Sequence, residues 1–275
     1  MTHYDIIRSL TSADEKDIIP SYDGFLSYGY FIKNQNIVFK FRKHPDVSYK
    51  NEAFLLDFLG KESFPIKLQS VFYAPEDDSF LALRAVEGTS LEHISLSDEE
   101  KSRIGEHLGK FLLQLHALKP ETENFCPLDA EIGAWQERYE SSKTILSEYF
   151  TEAEISRLDD FAFKEAPEIL DSLGADYVFS HADLGEGNIF YDEKGGIGVI
   201  DFNESCYIDR AADFMDIEDD VITASVLDAY NADSVLRKKV KIRRLIRPLF
   251  VIGTYSSRGR EAVEKYIQKI RTSLL

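Results

Sequence analysis

The chain has 275 residues, 44% of them apolar, which supports a sizeable core in one large domain or two joined lobes and argues against disorder. Its 49 acidic and 32 basic side chains leave a formal net charge of -17, a field that disfavours nucleic acid and anionic membrane surfaces and suits a cationic ligand. No apolar run approaches the roughly 20 residues of a bilayer span, and the start of the chain lacks the pattern of a signal peptide, so a cytoplasmic protein without membrane or nucleic-acid partners is expected.

Strands dominate the expected structure up to about residue 87. Residues 25–41 alternate and break at Asn34-Gln35-Asn36, which predicts a hairpin. A helix follows at 49–59, with Ser48 as its cap and Gly60 as its stop. Two further strands are expected at 68–73 and 80–86, joined by a turn at 74–78. Helical spacing then takes over at 97–118, 128–147, 151–173 and 209–230 and through most of the C-terminus. Ser97 and Glu100 have the spacing of a capping box. Trp135 falls on an amphipathic helix and is expected in the core. Cys126 and Cys206 are too few for a disulfide framework and are expected as reduced core thiols. The pattern predicts an α+β chain, with a smaller antiparallel-sheet lobe at 1–87 and a larger, mainly helical one at 88–275.

One segment in the second half carries chemistry. His181, Asp183 and Asn188 form a His-x-Asp-x4-Asn pattern, and residues 197–202 form an apolar run ending in Asp201-Phe202. A turn at 192–196 would fold 188–202 into a hairpin and bring Asn188 beside Asp201, where two oxygen ligands can grip one cation. An Asp, an Asn and a second Asp so placed are the parts that orient a hydroxyl and hold magnesium on a nucleoside triphosphate. In residues 37–41 Lys40 alternates with Phe39 and Phe41, so its ammonium projects from the opposite face and can hold phosphates. Glu52 heads the stripe of Leu55, Leu56 and Leu59 and faces the sheet, where it can position Lys40. No Gly-x-Gly-x-x-Gly occurs; the best loop over phosphates is 21–29, with Gly24 and Gly29 as its permissive residues. Glu87 belongs to the 84–88 segment where the lobes would join and backbone groups would meet the base.

These residues resemble the aminoglycoside phosphotransferase and choline kinase-like superfamily, within the protein-kinase-like fold. The stretches 22–40 and 201–214 are most similar to the branch that phosphorylates the 2″-hydroxyl of aminoglycosides. The resemblance implies that Asp183 orients the acceptor hydroxyl and takes its proton. It implies also that Asn188 and Asp201 bind Mg2+ and that Lys40 binds the phosphates of ATP or GTP. His181 would brace the catalytic loop, and Asp213 would tie that loop down from within the core. Ala182 and Asn203 depart from the family pattern at positions often held by Gly. A protein kinase is disfavoured, because no long segment ending in Ala-Pro-Glu follows Asp201.

For the acceptor, seven carboxylates lie between residues 204 and 220 against the single Arg210. Carboxylates suit an amine-bearing sugar because each ammonium gains a charge-assisted hydrogen bond. Glu204 and Asp219, then Glu218, are the expected acceptor contacts, while Asp216 and Asp220 are expected on a solvated face. An aminoglycoside is the leading acceptor; a macrolide, a choline-like amine and homoserine share the catalytic parts. A silent nucleotide-binding module is the alternative. The basic run 237–244 is expected on an exposed helix face that balances its acidic surroundings.

Overall fold

The structure, a computed structural model, describes residues 2–21, 26–192 and 194–275. In chain order these form α1 (His3–Thr11), β1 (Ile18–Ser21), β2 (Ser27–Ile32), β3 (Ile37–Arg42), α2 (Lys50–Leu59), β4 (Lys67–Leu68), β5 (Ser70–Tyr73), β6 (Phe80–Arg84) and β7 (Thr89–Ser90). Next come α3 (Asp98–Leu115), α4 (Leu128–Leu146), α5 (Glu152–Asp160), α6 (Ala166–Leu173) and β8 (Tyr177–Ser180). The hairpin β9 (Ile189–Tyr191) and β10 (Ile197–Val199) leads to β11 (Cys206–Asp209), α7 (Asp220–Ala229), α8 (Ser234–Tyr255) and α9 (Arg260–Ser273).

The chain forms two compact units. The first comprises Met1–Glu100, Pro120–Thr122 and Gly185–Ser205; the second comprises Lys101–Lys119, Glu123–Leu184 and Cys206–Leu275. One cut near residue 87 does not describe them, because the β9–β10 hairpin returns to the N-terminal unit. There β10 pairs in parallel with β4 and antiparallel with β9, and β9 pairs with β7. Gly198 permits this approach: a Cβ there would lie 2.0 Å from Val86 Cγ1.

In the first unit, an antiparallel sheet runs in the order β1-β2-β3-β6-β5. The alternation of β3 buries Ile37, Phe39 and Phe41 on one face against Ile7, Ile18, Ile32 and Phe80. Each such side chain stabilises the sheet by roughly 1.5–3 kcal/mol of burial. The His3 ring of α1 stacks on Phe41 at 4.1 Å between centroids. Ser48 is not the cap of α2. Tyr49 occupies the cap position without a side-chain bond, and its N–H donates to Asp78 Oδ1 at 3.0 Å. The single strand expected at 68–73 is two strands in different sheets, β4 and β5, parted at Gln69.

The second unit is mainly helical. Trp135 of α4 stacks on Phe250 of α8 at 5.7 Å within a core that also holds Tyr139, Leu158, Leu249 and Tyr266. Ser97 and Glu100 make the expected capping box before α3. Gly109 lets α3 and α7 touch, since a Cβ there would meet Val226 O at 2.5 Å. The helix expected at 209–230 is broken. A 3-10 turn at Arg210–Phe214 precedes α7, whose cap is Asp219 accepting from the N–H groups of Val221 and Ile222. The basic run of α8 is not all exposed: Lys239 and Arg243 are buried. Lys239 pairs with Asp209 at 2.6 Å and Arg243 with Glu131 at 2.8 Å. Burial pushes the Glu131 carboxyl up to about 7, against the pull of Arg243. Among the described residues no helix is long and apolar enough to cross a membrane, and the two cysteines, expected in the core, are half-buried and form no disulfide with each other.

Candidate active site

In the first unit three charged side chains from distant parts of the sequence converge. Lys40 stands on the face of β3 opposite the aromatic core, and Glu52 lies in the first turn of α2. The Lys40 ammonium donates to both Glu52 oxygens at 2.9 Å and to Asp201 Oδ1 at 2.9 Å. Burial alone would lower the Lys40 pKa, but the Glu52 and Asp201 carboxylates outweigh it and hold the group well above the ordinary lysine value. Burial pushes the Glu52 carboxyl up, and Lys40 opposes that shift. The Glu52 side chain is 0% exposed and that of Asp201 40% exposed, so Asp201 is the member open to a ligand.

Asp201 follows the end of β10 in a left-handed conformation, φ 67°. Such a backbone costs a non-glycine residue of order 1 kcal/mol and needs surrounding support. Part of that support is Gln69, whose Oε1 accepts the Asp201 N–H at 3.2 Å. The hairpin brings Asn188 close, for the Ile200 N–H donates to the Asn188 carbonyl at 3.0 Å. An amide and a carboxylate oxygen are hard donors that suit Mg2+, which takes its other ligands from phosphates and water. The donor set therefore fits the expected metal.

The second unit carries the loop of His181 and Asp183. β8 pairs with β11, and the chain then turns through Ala182 at φ 65°. Asp213, fully buried, receives this turn: the His181 N–H donates to Oδ2 at 3.0 Å and the Ala182 N–H to Oδ1 at 2.7 Å. Burial pushes the Asp213 carboxyl up, yet the His116 hydrogen bond and the loop amides hold it below the ordinary aspartate range. The His181 ring is buried, and its Nδ1 accepts the Asp183 N–H at 3.3 Å, which is the geometry of a brace. Asp183 is exposed.

The other expected residues that the structure describes have partners of their own. Gly24 falls outside the described residues. Glu87 is exposed after β6 and lies 3.8 Å from Lys67 Nζ. Glu204 is exposed and accepts from Asn203 Nδ2 at 3.2 Å. Asp219 caps α7 and pairs with Lys101 at 2.8 Å. Glu218 is held by Arg247, Lys265 and Lys269 at 2.7 Å each and by the Tyr266 hydroxyl at 2.6 Å. Asp216 and Asp220 also have basic partners, Arg247 and Arg244.

Those contacts give Glu218 a measurable role in stability. Its burial raises the carboxyl pKa, but bonds from Lys265, Lys269 and Tyr266 more than reverse this and hold it far below the ordinary glutamate range. A depressed carboxylate stabilises the fold above its unfolded pKa, and that stabilisation fades as pH falls towards the folded value. Glu218→Gln is expected to cost about 2 kcal/mol at pH 7, less than a fully buried pair because Lys265 and Lys269 are part-exposed. The gap to wild type should narrow below pH 4.5, as followed by thermal denaturation. A gap that widens on acidification contradicts this account.

Sequence reading missed Gln69 and His116. Gln69 had a signal, a polar residue splitting an apolar strand run. His116 had a fainter one, a histidine continuing the buried stripe of Leu108 and Leu112 on α3. The charged cluster of Glu131, Asp209, Lys239 and Arg243 had none, because its members are spread over more than 110 positions.

Comparison with known proteins adds the context. The profile described as the phosphotransferase enzyme family matches residues 20–238. APH(2″)-IIia, solved as its GDP and kanamycin complex, superposes with a TM-score of 0.75 at 17% identity, covering 98% of each chain. The macrolide 2′-phosphotransferase MphH from Brachybacterium faecium gives 0.64 at 16% identity over 97% of this chain and 96% of that one. Choline kinase from Cryptosporidium parvum Iowa II gives 0.60 at 14%, over 98% and 93%. At these identities the likeness establishes the fold, the protein-kinase-like α+β arrangement expected from the sequence.

Proposed function

Because the chain belongs to the phosphotransferase enzyme family, we propose that it transfers the γ-phosphoryl group of ATP or GTP to a hydroxyl of a small molecule. The observation that carries this reading is the convergence of Lys40, Glu52 and Asp201, held at 2.9 Å contacts around one ammonium. Glu52 fixes the ammonium, and the ammonium neutralises phosphate charge. Asn188 and Asp201 would hold Mg2+, which when bound neutralises charge on the transferring phosphates. Asp183 orients the acceptor hydroxyl and accepts its proton. His181 and Asp213 keep the Asp183 loop in place. Most of the rate then comes from alignment and electrostatics rather than covalent chemistry.

An amine-bearing acceptor, with aminoglycosides foremost, is supported by the similarity to the APH(2″) structure and by the exposed Glu204. A second reading, an acceptor with fewer ammonium groups, is favoured by one observation. Asp209, Asp216, Glu218, Asp219 and Asp220 each have a basic partner within the chain. A carboxylate already paired gains less from a ligand ammonium than an open one.

A coupled phosphotransfer assay with ATP and GTP against aminoglycosides, macrolides and small amino alcohols tests both readings. Acceptor-dependent release of nucleoside diphosphate is expected. Tight nucleotide binding with no turnover across the panel would instead mark a silent nucleotide-binding module. Turnover confined to single-amine or macrolide acceptors would select the second reading.

A further inference from the structure

The strand that leads to Asp183 is gripped at both ends by buried carboxylates four residues apart. At its start, the Asp176 N–H donates to Asp209 Oδ2 at 2.9 Å. At its end, the amides of His181 and Ala182 donate to Asp213. Asp209 caps the 3-10 turn after β11 and Asp213 lies within it, and each is itself secured by a residue distant in sequence. Lys239 of α8 holds Asp209. His116, just beyond α3, holds Asp213, with Nε2 3.0 Å from Oδ2.

One proton in the second clamp can be assigned from its neighbour. An ionised Asp213 only accepts, so His116 Nε2 is the donor. The other ring nitrogen, Nδ1, is hydrogen-bonded to the Tyr230 hydroxyl at 2.8 Å. Asp213 and Tyr230 thus hold the ring by both nitrogens, and rotating the imidazole breaks two bonds at once. What it secures is a turn in which Ala182 has a left-handed backbone that it does not prefer.

We propose that His116 is a positioning residue for Asp183: through Asp213 it holds the amides of His181 and Ala182, and so the strained turn that presents the Asp183 carboxyl. The role of Asp183 here rests on the function proposed above. His116 does not touch the reacting groups; it acts through Asp213. The competing account is a core ring that only packs, edge-on to Phe214 and Tyr230 at centroid distances of 6.3 and 5.3 Å.

Two substitutions separate these accounts. His116→Phe keeps the aromatic volume and removes the donor; His116→Gln keeps a donor within reach of Asp213. In His116→Phe, amide exchange at His181 and Ala182 should accelerate about 10-fold or more. Its kcat should fall about 10- to 100-fold with the KM for nucleotide unchanged. His116→Gln should recover most of both. Wild-type exchange rates in His116→Phe, or equal losses of kcat in the two variants tracking only their Tm, would overturn the proposal. If His116→Phe does not fold, Tyr230→Phe serves: it removes the hydroxyl that holds Nδ1, and unchanged amide exchange at His181 and Ala182 would equally overturn the proposal. Exchange needs no acceptor. Faster exchange in a protein that turns over no acceptor would uphold the clamp and count against the phosphotransfer reading instead.

Discussion

Asp183→Ala is expected to lower kcat about 100-fold or more, the usual yield of a positioned general base, while leaving nucleotide affinity near wild type. The two effects separate because the groups proposed to hold the nucleotide, Lys40, Glu52 and Asp201, are bound to one another within the first unit. Asp183 contributes to none of those contacts. Its N–H does bond to His181 Nδ1, but that bond comes from the backbone and survives the substitution. Stability should therefore change little, since Asp183 is exposed. Nucleotide titration and steady-state kinetics on one preparation make the comparison. Near-normal turnover would remove Asp183 from its role, whatever the acceptor.

The second large effect is expected at Lys40. Lys40→Met removes the ammonium and leaves Glu52, 0% exposed, as a buried carboxylate without its cation. Breaking such a pair costs about 3–5 kcal/mol unless the carboxyl takes up a proton. Burial already pushes Glu52 in that direction. Catalysis should fall as well, because a charge-assisted bond to phosphate contributes roughly 1.5–3 kcal/mol, about 10- to 100-fold in kcat/KM. The double variant Lys40→Met/Glu52→Gln divides these losses. Removing the orphaned charge should restore most of the Tm while kcat/KM stays low. If turnover returned together with stability, Lys40 would be a scaffold residue and the phosphate role would fall.

Much of the candidate site was legible in the sequence because it is local. His181, Asp183, Asn188 and Asp201 fall within 21 positions, and a hairpin with a clear turn joins the last two. Lys40 and Glu52 were legible because strand and helix periodicities point each towards the same space. The acceptor carboxylates were read less well. Glu218 and Asp219 stood out as acidic residues in an acidic run, yet charge along a chain does not reveal which charges are already paired. Lys101, Arg247, Lys265 and Lys269 come from helices far away in sequence. The basic run of α8 misled for the same reason: apolar spacing marks a buried face but does not foresee that Lys239 and Arg243 lie on it with carboxylates opposite.

The sequence by itself determined the class of fold and the family and singled out the segment proposed to carry the reaction, since periodicity and short-range spacing suffice for those. Tertiary structure alone decided three matters. It returned the β9–β10 hairpin to the N-terminal unit through a parallel pairing with β4, which no local pattern specifies. It neutralised most of the acidic run that had suggested a polycationic acceptor. It also set His116 against Asp213, 97 positions away, behind the loop that carries Asp183. Each depends on contacts between distant residues, and such contacts form only when the buried faces of separate elements are brought together.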